Sequence, residues 1–451
     1  MSESRFSYSL DQLQEMSASA LKLAKAAGAS AAETDISLGI GQNVTVRMGE
    51  TETIEYNRDK GVSVTVYFGQ QRGHASTSDL SAQALADTVA AACNIARYTA
   101  QDPYCGLADA SLMATEFPDL DLYHPWPISV EEALDIAKRC EASARGVDSR
   151  ITNSEGASVS ASEGLSVYAN SHGFSAGYPT SRHGISASVI AEDNQNMQRD
   201  YWYSTARAAA DLDSPEQVGR LAGQRSVRRL GCRKVRTAQV PVMFEAPLAS
   251  GLISSLISAV SGGSLYRKSS FLLDSLGKPV ISSIVDIEEQ PHLARGLASS
   301  AFDGEGVATK ARMLVQKGVL QGYVLSSYSA RKLGMATTGN AGGNHNLLVQ
   351  HAQGIEQQLS FEQMLKTMGM GLLVTELLGH GLNMVTGDYS RGAAGFWVEN
   401  GVIAHPVEEI TIAGNMKEML MQIIALGSDV LVQGSKQVGS ILIERMTVAG
   451  E

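Results

Sequence analysis

The sequence predicts an α+β protein with two domains, each built around antiparallel sheet. A length of 451 residues favours more than one domain. Apolar residues make up 44% of the chain and charged residues 18%, which is typical of a soluble globular protein. Blocks of helical spacing also alternate with runs of period two. We place the boundary at the basic, polar segment CRKVRTAQV (232–240), which gives domains 1–231 and 232–451.

The N-terminal half is expected to contain antiparallel sheet with helices. The run after Gly28 reads as four short strands, ETDISLGI, QNVTVRM, ETIEYN and GVSVTVYFG, separated by glycine and by Asn-Arg-Asp. A second meander covers 151–204, with turns at 170–173 and 192–194. Apolar spacing and capping residues predict helices at 9–27, 79–98, 129–144 and 214–230.

The C-terminal half reads as a strand-rich domain, a sheet or pseudo-barrel with a few helices. Helices are predicted at 247–261 and 360–368. The β-type runs GFWVENGVIAHPVEEITIAG, DVLVQG and GSILIERMTVAG follow.

Charge and cysteine content limit the possible partners and the compartment. Lys and Arg number 36 and Asp and Glu 47, a net charge of −11 that argues against nucleic-acid binding and against anionic membranes. The four cysteines form no CxxC pair, which favours a reducing compartment. We see no signal peptide and no run of the ~18 apolar residues that a membrane span needs. We therefore expect a cytoplasmic protein.

The motif TELLGHG (375–381) reads as a zinc-protease helix with one ligand replaced. Such a helix supplies His-Glu and a later His, and the Glu activates metal-bound water. Here Glu376 and His380 are present, but Thr375 stands at the first His position, and a neutral hydroxyl is a poor zinc ligand. On a helix, Glu376 and His380 would lie about 40° apart on one face. From residue types alone, a surface pair or a histidine at a helix C-terminus explains Glu376 and His380 better than a metal site does.

Several blocks of the chain resemble the TldD/TldE family of peptidases, and within it the TldE (PmbA) type of subunit. They are TELLGHG, GDYSRGAAGFWVENG (387–401), EEITIAGN (408–415), NSHGF (170–174) and GGSLYRKSSFLLDSLGK (262–278). The resemblance covers nearly the whole chain. It implies that a TldD-type subunit carries HExxxH and a C-terminal Cys as zinc ligands, whereas a TldE-type subunit lacks the full set. It also implies a heterodimeric protease that trims peptides such as modified microcin precursors and degrades partly unfolded small proteins.

The resemblance assigns a role to each position of the altered motif. Thr375 matches the first ligand His, Glu376 the catalytic Glu, and His380 the second His. No Cys follows residue 427, so two of three protein ligands are missing. We therefore expect a subunit without metal or cofactor that is inactive alone. Its expected partners are a zinc-bearing TldD-type paralogue and peptide or unfolded-protein substrates, and the isolated chain would be a possible homodimer.

Other interpretations stay open at this point. Asp388 and Arg391 form either a polar turn or a wall of a peptide cleft, with Arg391 placed to bind a carboxylate or a carbonyl. The chain as a whole could be a non-enzymatic peptide-binding or scaffold homo-oligomer. It could also be an autonomous peptidase with another ligand set.

Overall fold

The N-terminal half forms one six-stranded antiparallel sheet with helices on one face. The computed structural model describes residues 5–193 and 197–450. The strand order is β3-β2-β1-β4-β5-β6, so both predicted meanders join in a single sheet. The elements are α1 Leu10–Ala26, β1 Ala31–Arg47, β2 Glu50–Phe68, β3 Gln71–Thr77, α2 Ala82–Tyr98, α3 Val130–Arg145, β4 Ile151–Asn170, β5 Ser175–Glu192, β6 Met197–Ala206 and α4 Pro215–Arg228.

Capping residues in the sequence determine where these helices begin, and the apolar faces of the helices determine where they pack on the sheet. Ser9 and Ser129 each form a capping box with the residue three positions on, which satisfies free backbone donors at the starts of α1 and α3. Helices α1 and α2 bury alternate residues of β1 and β2, among them Ile36 and Val64. Helices α3 and α4 cover the other half of the same sheet face, around Val159.

The C-terminal half is built around a closed barrel of β7, β12, β13, β14 and β17. Strand β14 pairs with β17 as well as with β13, which closes the ring and leaves few open edges. A second sheet has the order β10-β9-β8-β11-β16. The elements are β7 Ala238–Phe244, α5 Ala246–Ala259, α6 Gly262–Tyr266, β8 Val285–Gln290, β9 Arg312–Gln316, β10 Val319–Leu320, α7 Ser327–Leu333, β11 Asn346–His351, α8 Phe361–Met368, β12 Gly371–Leu378, β13 Asp388–Glu399, β14 Val402–Asn415, α9 Met416–Met421, β15 Ile423–Leu426, β16 Lys436–Gln437 and β17 Ile441–Ala449.

The α+β class and the strand-rich C-terminal half are confirmed, but three local predictions are wrong. The four short strands after Gly28 are two long ones, and the expected turn Asn57-Arg58-Asp59 lies inside β2. The reason is that this part of β2 is exposed on both faces, so its residues are polar enough to look like a turn. The run 429–434 is irregular and makes only the bridge between Leu431 and Val438. The motif TELLGHG is not helical.

Two other predictions have no test in this fold. The turn expected at 192–194 lies partly outside the described residues. The boundary between residues 231 and 232 stays a prediction. Across 5–193 and 197–450, the helices fall short of the length and apolar character that crossing a membrane requires.

Candidate functional site

The altered motif lies at the end of barrel strand β12, and the predicted helix is wrong. Strand β12 runs parallel to β7 and antiparallel to β13, and it ends at Leu378. Gly379 then turns the chain with a φ of 69°. The segment GLLVTELL is a short apolar run, and its periodicity alone does not distinguish a strand from a buried helix. Glu376 and His380 therefore share no helix face.

A β-bulge at Thr375 shapes the motif locally. The register of β12 against β13 shifts between Val374 and Glu376. Bulges re-aim side chains, and here the adjacent Thr375 and Glu376 both line one cavity.

This cavity, which we call the motif cavity, has a volume of about 290 Å³. Residues of β6, the C-terminal end of α4, the start of α5 and the end of β12 line it. Its lining residues are Arg199, Asp200, Tyr201, Trp202, Tyr203, Arg225, Arg229, Pro247, Leu248, Thr375, Glu376, Leu377 and Gln433.

Glu376 is held in an ion pair with Arg229, which directly follows α4. The Arg229 side chain is only 10% exposed and that of Glu376 is 27% exposed. Arg229 also donates to the Arg199 carbonyl oxygen at 3.1 Å and lies 3.7 Å from the Asp200 carboxylate. The guanidinium therefore occupies the space beside the carboxylate that the resemblance marks as catalytic.

Two more arginines of α4 extend this ion pair into a network. Arg225 lies 3.1 Å from Asp200 and 3.0 Å from Glu245, which precedes α5. Arg228 lies 3.2 Å from Glu245. Burial opposes ionisation of Arg225, but the Glu245 and Asp200 carboxylates outweigh it and raise its pKa above the usual value. Three arginines thus face three carboxylates across the junction of α4, α5 and β12, and each buried charge has a partner.

The Thr375 hydroxyl stands apart from this network. Thr375 is 6% exposed, and its Oγ1 makes no hydrogen bond within the described part of the chain. Thr375 borders the motif cavity, but its Oγ1 atom is itself buried, so the hydroxyl is a buried polar group without a partner in the described part of the chain.

The other predicted site residues do not gather around Glu376. His380 is exposed, in the turn after β12. Asp388 begins β13 and accepts from Thr386 and Asn415, which lower its pKa. Arg391 opposes Ile412 of β14, and strand alternation places it on the sheet face of Ala393, the partner of Leu377. Glu376 neighbours Leu377 along the strand and lies on the opposite face, so a cleft shared by Arg391 and Glu376 stays a prediction without support.

The residues of the motif do not fit a zinc ion. Only His380 offers an imidazole, and it lies in the exposed turn. Three or more His, Cys, Asp or Glu side chains grouped as a metal site would need are not found in residues 5–193 and 197–450. The Arg229 guanidinium against Glu376 would also repel a dication in the same cavity.

Sequence reasoning missed the arginines of this site. The available signal was the segment RSVRRLGCRKVR (225–236), which places three arginines within five residues at a helix end. Three arginines carry more positive charge than a favourable interaction with the helix C-terminus requires. The cluster therefore predicts that carboxylates elsewhere in the chain pair with it.

Comparisons with known proteins decide the family. Three family models match, described as PmbA/TldA metallopeptidase domain 1, central domain and C-terminal domain, over residues 32–96, 123–230 and 237–450. The chain is 50% identical to "Metalloprotease PmbA" of Escherichia coli O157:H7 over 439 residues, 97% of this chain and 96% of the relative. The chain belongs to the PmbA/TldD metallopeptidase family.

Two further relatives agree with this assignment. A "Metalloprotease PmbA homolog" of Haemophilus influenzae is 47% identical over 97% of this chain and 96% of that protein. A crystal structure from Bacteroides thetaiotaomicron, described as a candidate modulator of DNA gyrase, has a TM-score of 0.92 at 27% identity and covers 98% of this chain and 99% of that one. The PmbA/TldD family consists of metallopeptidases, which are hydrolases, so the resemblance predicted from the sequence is confirmed.

Proposed function

We propose that this chain is the subunit without zinc of a two-subunit cytoplasmic metallopeptidase. Its partner is a zinc-bearing TldD-type paralogue, and the pair hydrolyses peptides and partly unfolded small proteins. The observation that carries this proposal is the ion pair between Glu376 and Arg229, together with Thr375 at the first ligand position.

The physical reason lies in what a general base must do. In a zinc peptidase the carboxylate takes a proton from metal-bound water, so it needs an accessible oxygen beside the metal. The guanidinium of Arg229 already binds the carboxylate of Glu376. His380 is the single imidazole of the motif, and one imidazole holds zinc weakly.

The contribution of this chain is therefore shape and contact. Tyr201 and Trp202 form part of the wall of the motif cavity, together with Thr375 and Glu376. Such a surface suits an extended peptide that the zinc-bearing subunit cleaves. In isolation the chain forms a homodimer that imitates the heterodimer.

The test is to mix the chain with its zinc-bearing paralogue and to follow hydrolysis of an unfolded peptide. We expect the mixture to exceed the sum of the two separate rates, and a chelator to abolish the gain. If the paralogue alone is fully active, and this chain neither binds it nor changes its rate, the subunit assignment is wrong and the scaffold alternative replaces it.

One variant tests whether Glu376 only lines the substrate chamber or takes part in catalysis. Glu376→Gln removes a carboxylate but keeps its shape, so we expect the rate of the mixture to change by less than about twofold. Loss of a true general base costs about 10²–10⁴-fold in rate. A loss of that size, with the variant still folded and still bound to the paralogue, would make Glu376 catalytic.

A further inference from the structure

A second cavity lies beside the motif cavity. It has a volume of about 240 Å³ and is lined by the first half of α5 and by residues of the segment 431–436. Tyr203, Pro247 and Gln433 line both cavities, so the two are neighbours. We call the second cavity the Lys436 pocket, because Lys436 is the one charged residue among its described lining residues.

Lys436 brings a positive charge into this pocket without a carboxylate to balance it. Within the described part of the chain Lys436 forms no ion pair, and its side chain makes one hydrogen bond, from Nζ to Ser435 Oγ at 3.2 Å. An ammonium group has three donors, so two of them stay available. Burial alone lowers the pKa of Lys436 below its usual value. A partly buried cation without a counter-charge is unfavourable, and such groups in cavities mark candidate binding sites.

The rest of the pocket wall is neutral. Ala246 and Leu431 give it apolar surface. The Ser250 and Ser254 hydroxyls donate to carbonyl oxygens of α5 at 2.9 and 2.8 Å, so their hydrogens are already used. Lys436 is therefore the group that binds an anion here, with apolar surface beside it for a side chain.

Strand pairing holds the backbone of Lys436 in place. Strand β16 runs parallel to β11 with Lys436 opposite Leu347, and the Leu347 N–H donates to the Ser435 carbonyl oxygen at 2.7 Å. A fixed backbone reduces the entropy that is lost when the side chain binds a ligand.

We propose that the Lys436 pocket binds the C-terminal carboxylate of the peptide that occupies the motif cavity. This inference rests on the proposed function and names its substrate class, peptides with a free C-terminus. Each arginine that lines the motif cavity already has a carboxylate partner, and these pairs are Arg199–Glu155, Arg225–Asp200 and Arg229–Glu376. Lys436 is the cation that remains for an anionic group of the ligand. A bound terminus also fixes how far from the end of the peptide the partner subunit cleaves.

Fluorescence anisotropy with the full chain tests the pocket directly. The probe is a short unfolded peptide labelled at its N-terminus and made both as the free acid and as the C-terminal amide. We expect the free acid to bind about tenfold more tightly, because the neutral amide forms no ion pair with the ammonium group.

Variants of Lys436 identify the group responsible. Lys436→Met should lower the affinity for the free acid to that for the amide, leave amide binding unchanged and preserve the far-UV circular dichroism. Lys436→Arg keeps the charge and should retain a preference for the free acid. The matched control is Lys366→Met on the exposed face of α8, which should bind both peptides as the native chain does.

A third peptide separates the chain terminus from an acidic side chain. Its C-terminus is an amide and its last residue is Glu, and the same amide with Gln is its reference. Binding equal to that of the Gln peptide supports recognition of the terminus. Binding as tight as that of the free acid overturns the assignment to the terminus.

Hydrolysis by the mixture with the zinc-bearing paralogue separates this inference from the proposed function. Loss of a contact made equally in the ground state and the transition state raises KM and leaves kcat unchanged. Lys436→Met should therefore raise KM for the free acid about tenfold and leave KM for the amide unchanged. A mixture that cleaves peptides with equal KM for acid and amide overturns the Lys436 pocket alone. A chain that prefers the free acid but neither binds the paralogue nor changes its rate overturns the proposed function alone.

Discussion

Replacing Arg229 with methionine should destabilise the protein, because Glu376 then loses the positive charge that it binds. The Arg229 side chain is 10% exposed, and it binds Glu376 and the Arg199 carbonyl oxygen. Methionine keeps most of the side-chain volume but leaves Glu376 without its counter-charge. It also removes the 3.7 Å contact with Asp200, although Asp200 keeps Arg225 at 3.1 Å.

The size of the effect follows from burial. Removing one partner of a fully buried ion pair costs about 3–5 kcal/mol. Because Glu376 keeps a 27% exposed side chain, we expect the lower part of that range, about 3 kcal/mol. A per-residue unfolding entropy of about 2.1 cal/mol/K gives about 0.95 kcal/mol/K for this chain, so the melting temperature should fall by about 3 °C.

The assay is a double-mutant cycle by thermal unfolding at constant salt. Glu376→Gln in the Arg229→Met background should recover part of the loss, because the uncompensated carboxylate is gone. The matched control is Arg220→Met on the exposed face of α4, which should stay within about 0.5 kcal/mol of the native protein. The reasoning is refuted if Arg229→Met matches Arg220→Met, or if the cycle shows no coupling between Arg229 and Glu376.

Two further predictions concern zinc and a thiol. Elemental analysis should find no stoichiometric zinc in the purified chain or in Thr375→His, which still lacks a third ligand; about one zinc per chain after gel filtration would contradict this. Burial and the Glu408 carboxylate, 2.6 Å from Sγ, raise the pKa of Cys232 to about 12. The folded state therefore favours the thiol, and native Cys232 should react slowly with iodoacetamide at pH 8 and faster as the pH rises toward 12. Glu408→Gln should speed alkylation at pH 8 by up to about tenfold, and Glu409→Gln on the exposed neighbour should not; equal rates in both, measured by peptide mass spectrometry, would remove Glu408 as a cause.

The fold was predictable where short-range signals agree with the final packing. Helices α1 and α3 have capping boxes and apolar spacing, and both form as expected. Strand β2 was predicted as two strands because residues 50–60 are exposed on both faces, so the polar run Asn57-Arg58-Asp59 reads as a turn. Strand β12 failed because both of its faces are buried, Leu372 and Val374 in one hydrophobic cluster and Leu373 in another, which removes the period-two pattern that marks a strand.

The sequence draws attention to residues of the motif cavity but not to their contacts. Thr375 and Glu376 line that cavity, whereas His380 lies in the exposed turn after β12, and their assignment as an incomplete ligand set stays a prediction from the resemblance. The partner of Glu376 is Arg229, 147 positions earlier in the chain. No periodicity or spacing connects the end of one helix to a barrel strand at that distance, because the pairing depends on how the two halves pack.

Charge balance explains how a peptidase scaffold can remain stable with this motif. A half-buried carboxylate at position 376 needs a positive charge nearby, and a metal ion is one source of it. In this chain the source is the guanidinium of Arg229, which is covalently attached and needs no ligands of its own. A threonine at 375 and the absence of cysteine after residue 427 therefore leave the charge of Glu376 compensated. The same ion pair that satisfies the carboxylate also occupies the space that a general base needs beside it, and this supports the proposal that a zinc-bearing partner carries out the chemistry.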